Sequence, residues 1–195
     1  MIGLVLDASA LTPCGDKPER TKEAIRQLSE VIITSKCVVI YLSEHLFSIY
    51  RDRVIPILRH EECHPLPRLQ SSLSNLLHNI TKFHRVKEFD CKHKPLGEVI
   101  IHILTSSRIE KYNINGLGLS GEDAKVLQTA ITATHYGRVL LITADKHFLN
   151  NLNKEELYRR YPELTSKLEI IPPEDPNLLD VLKSCGKAKD CDVDQ

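Results

Sequence analysis

Residues 2–7 read IGLVLD, an uninterrupted apolar run that ends in an acidic residue. A short run without polar interruption is typical of a strand that is buried on both faces, as in a parallel sheet. Two similar runs follow, CVVIYL at residues 37–42 and RVLLI at residues 138–142. Segments with helical spacing of apolar residues separate the runs. The alternation predicts an α/β fold, a three-layer α/β/α sandwich around a mostly parallel sheet.

The other elements follow from the same spacing rules. Ser43 is a suitable N-cap for a helix that Pro56 would kink or end. Residues 1–183 are predicted to form one domain with an added helical segment at about 53–97, and residues 184–195 a disordered tail. Further helices are predicted at 19–34, 69–80, 98–111, 120–134, 146–151, 154–161 and 176–182, and an edge strand at 169–171.

Composition narrows the class of protein. The chain has 195 residues, is 42% hydrophobic and carries a formal net charge of zero. It contains no run of about 18 apolar residues, so no membrane span is expected. The start MIGLVLDASAL lacks the basic residues of a signal peptide. The six cysteines are therefore expected to be reduced in a cytoplasmic protein, with Cys37 as an inert core residue.

Four carboxylates carry most of the functional information. Asp7 and Asp145 follow strand-like runs, and Glu44 and Asp123 lie at the starts of helix-like segments. In a parallel α/β sheet, strand ends and helix starts face the same edge, where ligands bind. Four acids at one edge repel one another unless a divalent cation neutralises them. The pattern therefore predicts a metal site.

Each acid also has a purely structural interpretation. Asp7 suits a turn after a strand, and Glu44 suits a helix N-terminus through the helix dipole. Asp123 and Asp145 suit helix caps. It is the combination of all four that favours function. Ser9 and Thr143 support this, because small hydroxyls can orient a carboxylate or a metal-bound water.

The predicted chemistry is hydrolysis of phosphodiesters. One or two Mg²⁺ or Mn²⁺ ions would supply a nucleophilic water and relieve developing charge on phosphate. Carboxylates without a His–Cys set suit these hard ions better than Zn²⁺.

Four segments in order carry a family resemblance: LVLDASAL, VVIYLSEHLF, GEDAKVLQTA and VLLITADKHF. Together they resemble the PIN domain, and most closely the VapC-like toxin ribonucleases. The resemblance covers roughly residues 1–52 and 98–150, with the strand near 170 as the last of the fold. The stretch between Glu44 and Asp123 is longer than in compact toxins of this kind, and the C-terminus extends past the last expected strand.

The resemblance implies a parallel sheet of about five strands and a Mg²⁺- or Mn²⁺-dependent endoribonuclease. It implies that Asp7 and Asp145 hold the main metal ion. Glu44 and Asp123 would complete the site directly or through water. It further implies RNA as substrate, a small antitoxin that covers the acids if the protein is a toxin, and a homodimer. There are two alternatives. One is an RNA-processing or quality-control nuclease, and the other is a non-catalytic RNA-binding or scaffold module.

The added segment suggests a surface for RNA. Residues 51–97 hold nine basic and five acidic residues in a chain of zero net charge. A basic wall built from this segment would attract a phosphate backbone, although an ordinary solvated helix face fits equally well. The candidate contacts are Arg51, Arg53, Arg85 and Lys87.

Other motifs favour other classes less well. HEECH at residues 60–64 matches the zinc-protease pattern, but nearby prolines at 56, 65 and 67 oppose the long helix it needs. A haloacid dehalogenase needs a second acid where this chain has Ser9, and a nucleotide-binding domain needs a glycine-rich loop after the first strand. A structural zinc site is a further hypothesis, with candidates His60, Cys63, His64, Cys91 and His93.

Overall fold

In a computed structural model of the protein, the fold is built on a parallel sheet. The structure describes residues 1–35, 37–59, 63, 100–109, 112–119 and 121–184. In that part of the chain five strands lie in the order β3-β2-β1-β4-β5, and all four pairs are parallel. The predicted α/β class is confirmed. The strands are β1 Ile2–Leu6, β2 Val38–Ser43, β3 Ile100–Leu104, β4 Val139–Ile142 and β5 Leu168–Ile171.

Helices connect the strands, and most of them lie where the sequence predicts a helix. The long helix α1 buries a stripe that includes Ile25, Leu28 and Ile32, as the spacing of these residues requires. The described α-helices are α1 Glu19–Thr34, α2 Glu44–Ile49, α3 Ile55–Leu58, α4 Ser106–Ile109, α5 Gly121–Ala133, α6 Lys146–Asn151, α7 Lys154–Arg160 and α8 Leu178–Ser184.

The two main crossovers run in opposite directions along the sheet. Helix α1 connects β1 to β2, and α5 connects β3 back across the sheet to β4. Parallel crossovers are almost always right-handed, so opposite directions place the two helices on opposite faces. Helix α5 packs on β1, β2 and β4, while α1 packs against α8. The arrangement is compatible with three α/β/α layers.

The predicted helix at residues 98–111 is wrong. Its centre is the strand β3, which pairs with β2 in the register Val39↔Ile100, and only the short helix α4 follows. The apolar residues Ile100, Ile103 and Leu104 satisfy helical spacing, but a short apolar run also fits a strand. β-Branched isoleucines favour the strand. Pairing with β2 decides the outcome.

Pro56 changes the helix that follows β2 without ending it. Ser43 caps α2 as predicted, its side chain accepting from the backbone N–H of Leu46 over 3.2 Å. The chain then widens into one π-helical segment, Tyr50–Val54, and continues through Pro56 as α3. A proline lacks the N–H and its ring crowds the carbonyl four residues back. A wider turn just before it accommodates both effects.

A disulfide joins Cys14 to Cys63, with the two Cα atoms 5.3 Å apart. The expectation that these cysteines are reduced is therefore wrong. Because a bridged Cys63 has no thiolate to give, it is also unavailable as a zinc ligand. Spacing alone cannot reveal such a pair. Cys37 is partly exposed just before β2, so its predicted core position is not observed.

Several predictions fall outside the described residues. They concern the helix at 69–80 and the zinc candidates other than Cys63. The predicted tail 184–195 also lies outside the described residues, except Ser184, which ends α8. In the part of the chain that the structure describes, no helix combines the length and apolar character that a membrane span needs.

Candidate active site

The strand order creates a crevice between β1 and β4. The chain leaves β1 toward β2 on one side, and leaves β4 toward β5 on the other. The loops beyond these two neighbouring strands therefore diverge, and such a switch point is where open α/β sheets bind ligands. Asp7 directly follows β1, and Asp145 lies three residues after the end of β4. Two of the four predicted acids thus flank this crevice.

Two hydroxyls hold Asp7 by one of its oxygens. Thr143 Oγ1 donates to Asp7 Oδ2 over 2.9 Å, and the Ser9 hydroxyl donates to the same oxygen. The two hydroxyl oxygens lie 3.2 Å apart, and Ser9 Oγ accepts from the backbone N–H of Ala144 over 2.9 Å. The loop after β1 is thereby joined to the loop after β4.

Asp145 is oriented by its own helix and by Thr143. Its Oδ1 accepts from the backbone N–H groups of His147 (2.7 Å) and Phe148 (3.4 Å), which makes it the N-cap of α6. Its backbone N–H donates to Thr143 Oγ1 over 3.1 Å. Phe148 is fully buried and anchors the turn. Among the described residues, neither Asp145 Oδ2 nor Asp7 Oδ1 accepts a hydrogen bond, so each carboxylate keeps one oxygen for a ligand.

Asp123 is close enough to feel both of these charges. It lies in the first turn of α5. Burial raises the pKa of its carboxyl, and the negative charges of Asp145 and then Asp7 raise the pKa further. The structure therefore brings three of the predicted acids within electrostatic reach of one another.

Glu44 faces a neighbouring cavity. It begins α2, is exposed, and its Oε2 accepts from Ser106 Oγ over 2.6 Å. It lines a cavity of about 240 Å³ together with Lys125 and Gln128, among others. Three of the four expected acids are thus within electrostatic reach of one another, and the fourth, Glu44, lines a neighbouring cavity.

Lys17 is a site residue that the sequence reasoning missed. Its ammonium lies in the loop between β1 and α1 and donates to Thr12 Oγ1 and to the Cys14 carbonyl, both over 3.4 Å. Partial burial lowers the pKa of Lys17, and the charges of Asp7 and Asp145 act in the opposite direction. No local pattern distinguishes this lysine from any other loop lysine. Only the folded loop brings it to the acids.

The two described arginines of the predicted basic wall are paired with acidic residues. Arg51 forms an ion pair with the adjacent Asp52, and Arg53 one of 2.6 Å with Glu122. All four side chains are exposed, so these pairs contribute little to stability. Arg85 and Lys87 lie outside the described residues.

The donor chemistry of the cluster suits a hard divalent cation, because all three side chains are carboxylates and their charges repel. Their positions are not those of a closed binding site. Within the described ranges, no three His, Cys, Asp or Glu side chains converge closely enough to hold a metal ion. Comparison with known proteins adds no identification, since no family model, no curated protein and no solved structure matches this chain.

Proposed function

We propose that the protein is a metal-dependent endoribonuclease of the PIN type that hydrolyses RNA phosphodiester bonds. One observation carries the proposal: Asp7 and Asp145 flank the β1–β4 switch point and are joined by Thr143, and each has one oxygen that accepts no hydrogen bond from the described residues. The four sequence segments that resemble PIN domains contribute these same acids. The parallel five-stranded sheet is the one that the resemblance implies.

Mg²⁺ or Mn²⁺ is the proposed cofactor. Asp7 and Asp145 would hold the main ion, and Asp123 and Glu44 would complete the site directly or through water. The ion would supply a nucleophilic water at neutral pH and offset charge on the phosphate. Burial, and then the charges of Asp145 and Asp7, raise the pKa of Asp123, and a cation beside the cluster would offset both effects.

The supporting residues have separate tasks in this proposal. Thr143 and Ser9 hold Asp7 Oδ2 and would leave its other oxygen to the metal ion. Helix α6 does the same for Asp145. Lys17 places a positive charge beside the acids, where a phosphate oxygen of the substrate would approach.

The same ribonuclease activity would fit two biological roles. As a toxin, the protein would be inhibited by a small antitoxin over the acid cluster and would form a homodimer. As an RNA-processing or quality-control nuclease, it would need neither. The added segment at about 53–97 favours the second role, since it departs from compact toxins.

A non-catalytic RNA-binding or scaffold module is the second candidate function. The observation in its favour is the open spacing of the acids, which form no ready three-ligand group in the described part of the chain. Against it, a scaffold has no use for three mutually repelling carboxylates.

Cleavage of mixed structured and single-stranded RNAs distinguishes the two functions. Purified protein is incubated with Mn²⁺, Mg²⁺ or EDTA, beside the variants Asp7→Asn and Asp145→Asn. Metal-dependent cleavage that both substitutions abolish supports the nuclease. Cleavage that survives both contradicts the assigned site. RNA binding without cleavage in either metal supports the binding module.

A further inference from the structure

A cavity of about 210 Å³ lies in the crevice beside the acid cluster. Its walls come from the segments that follow β1, β4 and β5 at the carboxyl edge of the sheet, including the starts of α1 and α6. Lys17 and Thr21 follow β1, Ala144 and Lys146 follow β4, and Glu174 follows β5. Because Ala144 and Lys146 flank Asp145 in the chain, a bound molecule there would lie next to the loop that carries Asp145, near the switch point between β1 and β4.

Two lysines, Lys17 and Lys146, line the cavity together with two acidic residues, Asp16 and Glu174. Lys17 is partly buried and close enough to Asp7 and Asp145 for their charges to act on its pKa. Lys146 lies one residue after Asp145 and lines the same cavity. A pair of ammonium groups next to a phosphate-cleaving centre suits a neighbouring phosphate of the same strand.

Glu174 supplies an acceptor that lacks its donor. Its Oε1 accepts from the hydroxyl of Thr21 over 3.2 Å, and this hydrogen bond fixes the carboxylate. Its Oε2 is buried and has no hydrogen-bond partner among the described residues. A buried, unpaired carboxylate oxygen is costly, because it has lost water without gaining a replacement. Glu174 Oε2 therefore lacks a hydrogen-bond donor from the described residues, and a ligand hydroxyl in the cavity would supply one once the carboxylate rotates toward it.

We propose that this cavity binds the ribose-phosphate unit next to the scissile bond, with Glu174 accepting from the ribose 2′-hydroxyl. This inference rests on the proposed ribonuclease function and adds how RNA is selected. Lys17 and Lys146 bind the phosphate of the same nucleotide. DNA lacks the 2′-hydroxyl, so it leaves Glu174 Oε2 unpaired, and the cavity discriminates against it.

Binding in EDTA tests the proposal without cleavage. Fluorescently labelled single strands of one sequence are titrated as RNA, as DNA and as 2′-fluoro RNA, with anisotropy as the readout. The 2′-fluoro strand keeps the RNA sugar pucker but has no 2′ donor. Wild-type protein is expected to bind RNA about tenfold more tightly than either analogue. This arm needs no substitution, so it is independent of any folding defect.

Glu174→Met removes the acceptor at similar length, and is expected to bring the RNA-to-DNA affinity ratio close to one. The matched control is Glu155→Gln, which changes an exposed glutamate of α7 and keeps the ratio. Lys146→Met is expected to weaken RNA and DNA binding equally and to reduce the slope of log affinity against log salt by about 0.7. Its control is Lys183→Met on α8.

The results that overturn the proposal are distinct. Equal affinity of the wild-type protein for RNA and 2′-fluoro RNA would show that the 2′-hydroxyl is not bound. If the Glu174→Met protein still binds RNA more tightly than DNA, Glu174 is not the residue that binds the hydroxyl. If metal-dependent RNA cleavage is present in either case, the assignment of the cavity is wrong but the proposed ribonuclease function stands. Absence of both cleavage and RNA binding removes the proposed function as well. Tight binding of a free ribonucleoside monophosphate, with no binding of the strand, assigns the cavity to a mononucleotide instead.

Discussion

Thr143 donates its hydroxyl to Asp7 across the β1–β4 strand pair, over 2.9 Å, while its oxygen accepts from the backbone of Asp145. Thr143 is fully buried. One side chain therefore relates the two carboxylates on either side of the crevice. The loops after β1 and β4 cannot move apart without breaking the hydrogen bond from Thr143 to Asp7.

Thr143→Val tests that relationship. The substitution keeps the shape but leaves the Asp145 N–H without its acceptor and Asp7 without one donor, so we expect a loss of about 1–3 kcal/mol in the free energy of unfolding. Cleavage of RNA should fall as well, because Asp7 loses its orientation. Urea unfolding and cleavage rates measure the two effects. Thr34→Val, at an exposed position of α1, should change stability by less than about 0.5 kcal/mol.

Asp145 has two tasks that substitutions can separate. Asp145→Ala removes the N-cap of α6 and should cost about 1 kcal/mol, whereas Asp145→Asn should keep most of the stability because asparagine also caps helices. Both should abolish metal-dependent cleavage. Asn153→Ala is the matched control, since it removes the cap of α7 without changing the acid cluster. An active Asp145→Asn protein would show that the carboxylate is not required.

The raised pKa of Asp123 predicts a pH-dependent stability difference. The folded state holds the Asp123 proton more tightly than the unfolded state, so stability falls as pH rises from the ordinary pKa of 3.8 through the raised value. In EDTA, Asp123→Asn should therefore have a higher Tm than wild type at neutral pH, and the difference should vanish below about pH 3.8.

Mn²⁺ should reverse this ranking, because it binds the charged carboxylates of the folded wild-type protein. Thermal unfolding with and without Mn²⁺ measures both effects, with Asp180→Asn on α8 as the control. A Tm difference that is constant with pH would contradict the electrostatic account.

Opening the Cys14–Cys63 disulfide should destabilise the fold. The bridge closes a loop with a sequence separation of 49 residues, for which loop-closure entropy predicts about 4 kcal/mol. Urea unfolding of Cys14→Ser should show this loss, and dithiothreitol should have little further effect on that variant. Cys37→Ser, which changes a cysteine outside this bridge, should leave the dithiothreitol sensitivity of wild type unchanged. Equal stability of oxidised and reduced wild type would contradict the prediction.

Segments whose apolar pattern allows one interpretation could be predicted from sequence. The buried runs of β1 and β4 and the long stripe of α1 are of this kind, and together they determine the α/β class. The run at Ile100–Leu104 fits both a helix and a strand. Its state is decided by pairing with β2, which local spacing does not contain.

Some residues of the candidate site could likewise be predicted from sequence, and others could not. Asp7 and Asp145 could be placed at one edge because they follow parallel strands, whereas Glu44 opens a helix whose direction sends it to a neighbouring cavity. Lys17 and Glu174 belong to loops, and only tertiary structure brings them to the crevice. The catalytic roles of the acids stay predictions until cleavage is measured.

The disulfide also makes the N-terminal part of the chain a covalent ring. Residues 14–63 include α1, β2 and α2, and both ends of this stretch are joined at sulfur. A single proteolytic cut between these two cysteines would therefore separate nothing. The nicked protein would migrate as one full-mass band on a denaturing gel, and would fall into two fragments only after a reductant is added.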